Sequence, residues 1–217
     1  MLKLVFDKAK DSPLNILFLG AHSDDIEIGC GGTILRLLGE FPQARISWVV
    51  FSAQGSRADE AQKSADLFLA GAAEKQVIIK DFRDGYFPYT GTEIKEFFEE
   101  LKSQIAPDLI FTHYRDDRHQ DHRLIEGLTW NTFRDHMILE YEIPKFDGDL
   151  GCPNYYVCLD ETFVSKKINY LREAFISQRE KHWFEGGVFE GLMRLRGMEA
   201  RSSGKFAEAF YAYKIAQ

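Results

Sequence analysis

Two short stretches of this chain concentrate histidine and carboxylate. One is His22-Ser-Asp24-Asp25; the other is His113 followed by Asp116-Asp-Arg-His119-Gln-Asp121-His122. Imidazole and carboxylate together suit zinc or another first-row divalent ion, iron included, and three protein ligands leave room for water. His22, Asp25 and His122 form the candidate ligand set, and the absence of cysteine from it disfavours a structural zinc site. An open site of this kind lowers the pKa of a bound water and polarises a carbonyl. Asp24 is then available as general base, and His119 as the group that stabilises an oxyanion or protonates a leaving amine. Asp121 is the candidate partner that fixes the tautomer and charge of His119. Taken singly these signals are weak: an Asp-Asp pair after a strand is commonly a helix cap, and H-x-x-H recurs by chance on helices. Their weight comes from density and placement.

Placement follows from the elements. Asn15–His22 is a compact apolar run that reads as a strand buried on both faces, as parallel strands are. Further strands are expected at 46–52, 76–79, 107–113, 137–143 and 154–159. Helical patterns are expected from Gly31, over 58–70, 93–105 and 124–133, and over 161–175. Strands alternating with helices argue for a mostly parallel sheet flanked by helices. In the common strand order 3-2-1-4-5, strands 1 and 4 are neighbours at the crevice where strand order reverses. The first cluster ends strand 1 and the second follows strand 4, so both converge on that crevice. The expected order puts the metal site at the carboxyl ends of strands 1 and 4. Gly29-Cys-Gly-Gly32 resembles a dinucleotide loop only superficially: Ile34 stands where the last glycine is needed, and neighbouring carboxylates repel a pyrophosphate. The remainder, about 161–217, is expected to be a helical part broken at Gly186-Gly187, Gly191, Gly197 and Gly204. It belongs to a single domain spanning 1–217 and borders the site.

Composition bounds the rest. The 217 residues are 45% hydrophobic and 28% charged, which excludes disorder and collagen-like structure. With 27 Lys+Arg against 34 Asp+Glu, the net charge of −7 argues against general nucleic-acid binding. No apolar stretch is long enough for a membrane-spanning helix. Lys3, Asp7, Lys8, Lys10 and Asp11 stand where a signal peptide needs its apolar core. The 3 cysteines contain no CxxC and cannot all pair internally, so a cytoplasmic protein with reduced thiols is expected.

Ala21-His-Ser-Asp-Asp-Ile-Glu-Ile-Gly-Cys-Gly-Gly-Thr33 resembles the AHPDD-x-E-x-G-x-GGT signature of LmbE-like, PIG-L-like deacetylases. Asp117-Arg-His-Gln-Asp-His122 resembles that family's second motif, D-x-H-x-D-H. The resemblance implies a Rossmann-like fold and a divalent metal, usually zinc, that hydrolyses N-acetyl groups of amino-sugar conjugates, often N-acetylglucosaminyl ones. It implies His22, Asp25 and His122 as ligands, Asp24 as base, and His119 as electrophilic partner held by Asp121. Arg57, in Arg57-Ala-Asp-Glu60, resembles an arginine that reaches substrate, and Asp84 an aspartate that binds a sugar hydroxyl. Arg196-Gly197 and Ala207–Phe210 resemble a tail motif whose helix borders the site. The family often assembles, which implies a homo-oligomer. Ser23 departs from the family's proline; a local side-chain hydrogen bond of serine is expected to brace the turn instead. Arg194, Arg196 and Arg201 are candidates for an anionic part of the substrate.

Three other classes fit parts of this pattern. The same machinery hydrolyses other amides or esters. A non-catalytic carbohydrate- or nucleotide-binding protein has no need of Asp24 and His119 together. A non-haem iron oxygenase uses two histidines and a carboxylate but requires oxygen and a reducing cosubstrate.

Overall fold

The computed structural model describes residues 12–215, so the charged residues at 1–11 lie outside the described part. The strands are β1 (Asn15–His22), β2 (Arg45–Ser52), β3 (Glu74–Ile79), β4 (Leu109–His113), β5 (Met137–Tyr141), β6 (Tyr155–Leu159) and β7 (Phe206–Ala212). The helices are α1 (Asp25–Glu40), α2 (Ser56–Phe68), α3 (Gly91–Gln104), α4 (Gln120–Thr132), α5 (Glu161–Ala174) and α6 (Gly186–Glu199). One seven-stranded sheet runs β3-β2-β1-β4-β5-β7-β6. Strands 1 to 5 pair in parallel, and β7 pairs antiparallel with both β5 and β6.

The alternation of β1 explains its continuous apolar sequence. Ile16 and Phe18 pack with α1, α2 and α5 on one face, while Leu17 and Leu19 pack with α3 and α4 on the other. Both faces are covered, so every position along the strand must be apolar. Strand order reverses between β1 and β4, which places their carboxyl ends at the expected crevice. Among the described residues no helix is long and apolar enough to cross a membrane.

Three local expectations change. Helix α1 begins at Asp25 rather than Gly31, and its axis kinks at Cys30, where φ is −142° and ψ is 19°. The kink frees backbone N–H groups, and the Glu208 carboxylate accepts from Gly32 at 2.8 Å and Thr33 at 2.6 Å. The glycines serve packing: a side chain on Gly29 would collide with the Tyr141 ring, and one on Gly32 with Leu159. The second change is in the tail. Gly186, Gly187, Gly191 and Gly197 lie inside the continuous helix α6 instead of breaking it. Gly197 is required there because a Cβ would overlap the Lys205 backbone. Third, Phe206–Ala212 is a strand, so the Ala207–Phe210 motif lies in the sheet and not on a helix.

Glu208 on β7 also accepts from Lys167 Nζ at 2.6 Å, and Lys167 donates to Ile28 O at 2.7 Å; both side chains are buried. This ion pair ties α5 and β7 to the α1 kink. Lys167→Met is therefore expected to destabilise the fold by about 3–5 kcal/mol, because it strands a buried carboxylate. Urea unfolding measures this directly. A loss below about 1 kcal/mol would mean that the two backbone donors alone satisfy Glu208.

Candidate metal and catalytic site

Strand β1 ends at His22, a two-residue turn follows, and α1 starts at Asp25. The turn is pinned by Asp25 Oδ2, which accepts from the His22 backbone N–H at 2.7 Å. Ser23 is buried and its hydroxyl makes no hydrogen bond among the described residues, so the expected serine brace is replaced by this carboxylate contact. Across the crevice, His119 caps the N-terminus of α4, and the first turn of that helix carries Asp121 and His122.

The two clusters meet. His22 Nδ1 lies 3.2 Å from Asp25 Oδ2 and 3.2 Å from His122 Nε2, and His122 Nε2 lies 3.5 Å from Asp25 Oδ2. Ligand atoms about 2.0–2.1 Å from a tetrahedral ion stand roughly 3.3–3.4 Å apart. The three atoms therefore form a triangle of the size a divalent first-row ion requires. Each imidazole also has a carboxylate at its other nitrogen: Asp117 Oδ2 is 2.9 Å from His122 Nδ1, while Asp84 Oδ1 and Asp121 Oδ2 lie 3.1 and 3.3 Å from His22 Nε2. Carboxylates in those positions are the usual partners of imidazoles that turn their other nitrogen toward a metal. Burial works against a charge on His22, but Asp25 and these carboxylates outweigh it and raise its pKa well above the ordinary value.

A third histidine, His113, stacks on His122 with ring centroids 3.9 Å apart, and its Nε2 is 3.4 Å from Asp25 Oδ2. Asp25, His113 and His122 thus form another close group. His113 Nε2 already accepts from the Ala21 backbone N–H at 2.9 Å, which occupies its lone pair and makes it a brace between β4 and β1. Burial and the neighbouring His122 push its pKa well down, so it stays neutral.

Asp24 is separated from its neighbour by its contacts. Its Oδ2 pairs with Arg57 at 3.1 Å and touches none of the three triangle atoms. Burial raises the Asp24 pKa, with Arg57 opposing. Arg57 also donates to Glu60 at 2.8 Å, and Glu60 in turn accepts from the backbone N–H and hydroxyl of Ser177, both at 2.7 Å. Both polar ends of the guanidinium are thus engaged within the protein, although Arg57 does line the cavity.

His119 differs from its expected partnership. The Asp121 carboxylate accepts from Gly85 N–H at 2.6 Å and Phe87 N–H at 3.1 Å, tying down the loop after β3. It is the Asp121 backbone N–H that meets His119, donating to Nδ1 at 3.3 Å. The tautomer is fixed all the same: with Nδ1 accepting, the proton resides on Nε2. Burial and His122 lower the His119 pKa, which keeps the ring neutral. Asp117 is the residue that sequence reasoning left without a role. Besides His122 it accepts from His119 N–H at 2.7 Å and Lys145 Nζ at 2.9 Å. Its place in the second motif was the available signal. Burial opposes its ionisation, yet the His122 contact holds its pKa well below the carboxylate range.

A cavity of about 470 Å³ opens over these groups, with His22, Asp24, Asp25, His119 and His122 in its lining. Asp84 also lines it, and its side chain is 73% exposed. The tail arginines do not. Arg196 is buried against Glu142, with contacts at 2.6 and 2.9 Å, and Arg194 pairs with Glu190 at 3.3 Å. None of Arg194, Arg196 and Arg201, the candidates for an anionic part of the substrate, is among the residues lining this cavity.

Arg57→Gln is expected to lower kcat by roughly 10–100-fold with little change in KM, the worth of one charge-assisted contact to Asp24. Steady-state kinetics with metal content as control decides it. A rise in KM at unchanged kcat would show that Arg57 contacts substrate.

Comparison with known proteins places the chain in a family and a fold. Residues 17–133 match the family model described as PIG-L: GlcNAc-PI de-N-acetylase. An Escherichia coli protein described as the uncharacterized deacetylase YaiS is 31% identical over 184 residues, covering 77% of this chain and 98% of that protein. Among solved structures, the conserved protein TT1542 from Thermus thermophilus superposes with a TM-score of 0.72 at 20% identity, covering 94% of this chain and 96% of the other. The N,N'-diacetylchitobiose deacetylase from Pyrococcus horikoshii gives 0.66 at 18% identity, covering 92% and 83%. At such identities the two structures establish the shared α/β fold, whereas the family match and the E. coli relative establish kinship. With both motifs folded into one crevice, the chain belongs to the PIG-L, LmbE-like family of deacetylases.

Proposed function

We propose that the protein is a divalent-metal-dependent N-deacetylase that removes acetate from the amine of an amino-sugar conjugate of N-acetylglucosaminyl type. The observation that carries this is the triangle of His22 Nδ1, Asp25 Oδ2 and His122 Nε2 with a separate buried carboxylate, Asp24, beside it. Those three atoms would hold zinc, or iron(II) in its place. When bound, the ion supplies Lewis acidity that acidifies water and polarises the acetyl carbonyl.

The chain's own groups supply the proton movements. Asp24, whose burial strengthens it as a base, takes a proton from the attacking water. Arg57 keeps that carboxylate oriented. His119 presents Nε2–H to the acetyl oxygen as negative charge develops there, and its neutral state makes it a donor without a competing charge. The C–N bond then breaks, and the amine leaves with a proton from Asp24 or His119. Asp121 holds the loop after β3 against His22, and Asp84 on that loop is assigned a sugar hydroxyl.

The test is a screen of N-acetylglucosaminides with metal-loaded protein, measuring free amine and acetate. Equal release of both supports the reading. Cleavage of simple esters without any N-deacetylation would assign the machinery to a different bond.

A further inference from the structure

Four cations line the cavity: Arg57, Arg83, Lys145 and Lys181. Arg57 is engaged by Asp24 and Glu60, and Lys145 pairs with Asp117 and Asp149. Arg83 and Lys181 have no carboxylate partner among the described residues. Both are exposed, whereas Asp24, Asp25 and His122 are buried, so the unpaired charges sit on the rim and the reacting groups on the floor. The rim cations come from distant parts of the chain, Arg83 from the loop after β3 and Lys181 from the segment before α6. Only the fold brings them to one opening.

Each is steadied without being neutralised. The Arg83 guanidinium lies 3.6 Å from the centroid of Tyr86, and Lys181 Nζ lies 5.8 Å from that of Trp183, which also lines the cavity. Aromatic faces attract cations but leave their charge available to an anion. The exposed carboxylate on the lining, Asp84, is held by His22 at 3.1 Å. A chain of net charge −7 thus presents two uncompensated positive groups at the opening of its candidate site.

Resting on the deacetylase reading, we infer that the substrate's portion beyond the N-acetylated sugar carries an anion, a carboxylate or a phosphate, received by Arg83 and Lys181. The neutral sugar lies inward with its acetyl group at the floor. The anion is met at the rim, where Coulomb attraction also steers encounter and is weakened by salt. The overall acidity that argues against nucleic acid does not oppose this, because the positive groups are local to the opening.

The experiment compares three probes with the metal-loaded protein: methyl N-acetylglucosaminide, its carboxymethyl analogue, and N-acetylglucosamine 1-phosphate. Free-amine release gives kcat/KM for each, at low and high salt. The carboxylate or phosphate probe is expected to exceed the methyl glycoside by about tenfold or more, through KM and more so at low salt. Which anionic probe leads identifies the anion. In Arg83→Gln and Lys181→Gln the anionic-to-neutral ratio is expected to fall toward one. Because that ratio is taken within each variant, a general loss of folded protein cancels. A wild-type ratio near one, or a ratio unchanged in both variants, overturns the inference alone. Release from none of the probes overturns the deacetylase reading and this inference with it.

Discussion

Replacing Asp24 by asparagine is expected to leave the metal bound and to lower kcat by roughly 10²–10⁴-fold, the range of a positioned general base. The carboxamide keeps the shape of the side chain and can still face Arg57 through its oxygen. It cannot take a proton from water. The prediction depends on the two adjacent aspartates having different duties, and their contacts differ. Asp25 Oδ2 stands within 3.5 Å of both His22 Nδ1 and His122 Nε2, while Asp24 Oδ2 is paired with Arg57 at 3.1 Å. Asp25→Asn is expected to show the opposite defect, low metal content with activity partly restored by excess metal. Kinetics and elemental analysis on the two variants separate the roles. An Asp24→Asn enzyme rescued by added zinc, beside an inactive Asp25→Asn enzyme full of metal, would exchange them.

The second large effect concerns the ligands and the carboxylate behind one of them. On the proposed assignment His22→Ala or His122→Ala removes one of three metal-holding side chains, and a metal-loaded protein is expected to lose its ion on dialysis against a chelator. Asp117→Asn keeps all three but removes the negative partner of His122 Nδ1 at 2.9 Å. Loss of such a partner typically costs about 10–100-fold in metal affinity. The expected order of metal retention is therefore wild type, then Asp117→Asn, then the ligand variants. Competition with a chelator of known affinity reads that order. Full retention in every ligand variant would place the metal elsewhere.

The part of the architecture legible in sequence is the part dictated by periodicity. β1 was readable to its end residues because a strand covered on both faces must be apolar throughout, and the clusters that follow β1 and β4 located the crevice. The tail was not readable for an equally physical reason. Phe206-Ala-Glu-Ala-Phe-Tyr-Ala212 is rich in helix-favouring Ala and Glu, and only pairing with β5 and β6 makes it a strand. The glycines of α6 point to breaks until the close approach of Lys205 explains Gly197. At the site, residue types sufficed to nominate His22, Asp25 and His122. They did not reveal Asp117 as the partner of His122, nor the backbone N–H of Asp121 as the group that sets the His119 tautomer. Those roles depend on ring orientations that spacing does not encode. Arg57 shows the same limit: a nearby Glu60 was visible, but its second contact, to Asp24, crosses from α2 to the end of β1.

In the proposed function, one ion held by His22, Asp25 and His122 enables deacetylation. The most direct test of this is titration of the metal-free protein with zinc while free amine is measured from an N-acetylglucosaminide that the metal-loaded enzyme cleaves. Activity is expected to rise from near zero and level off at one ion per chain, with no such rise in His122→Ala over the same range. Full activity in the metal-free protein, or the same titration curve in His122→Ala, would contradict the account.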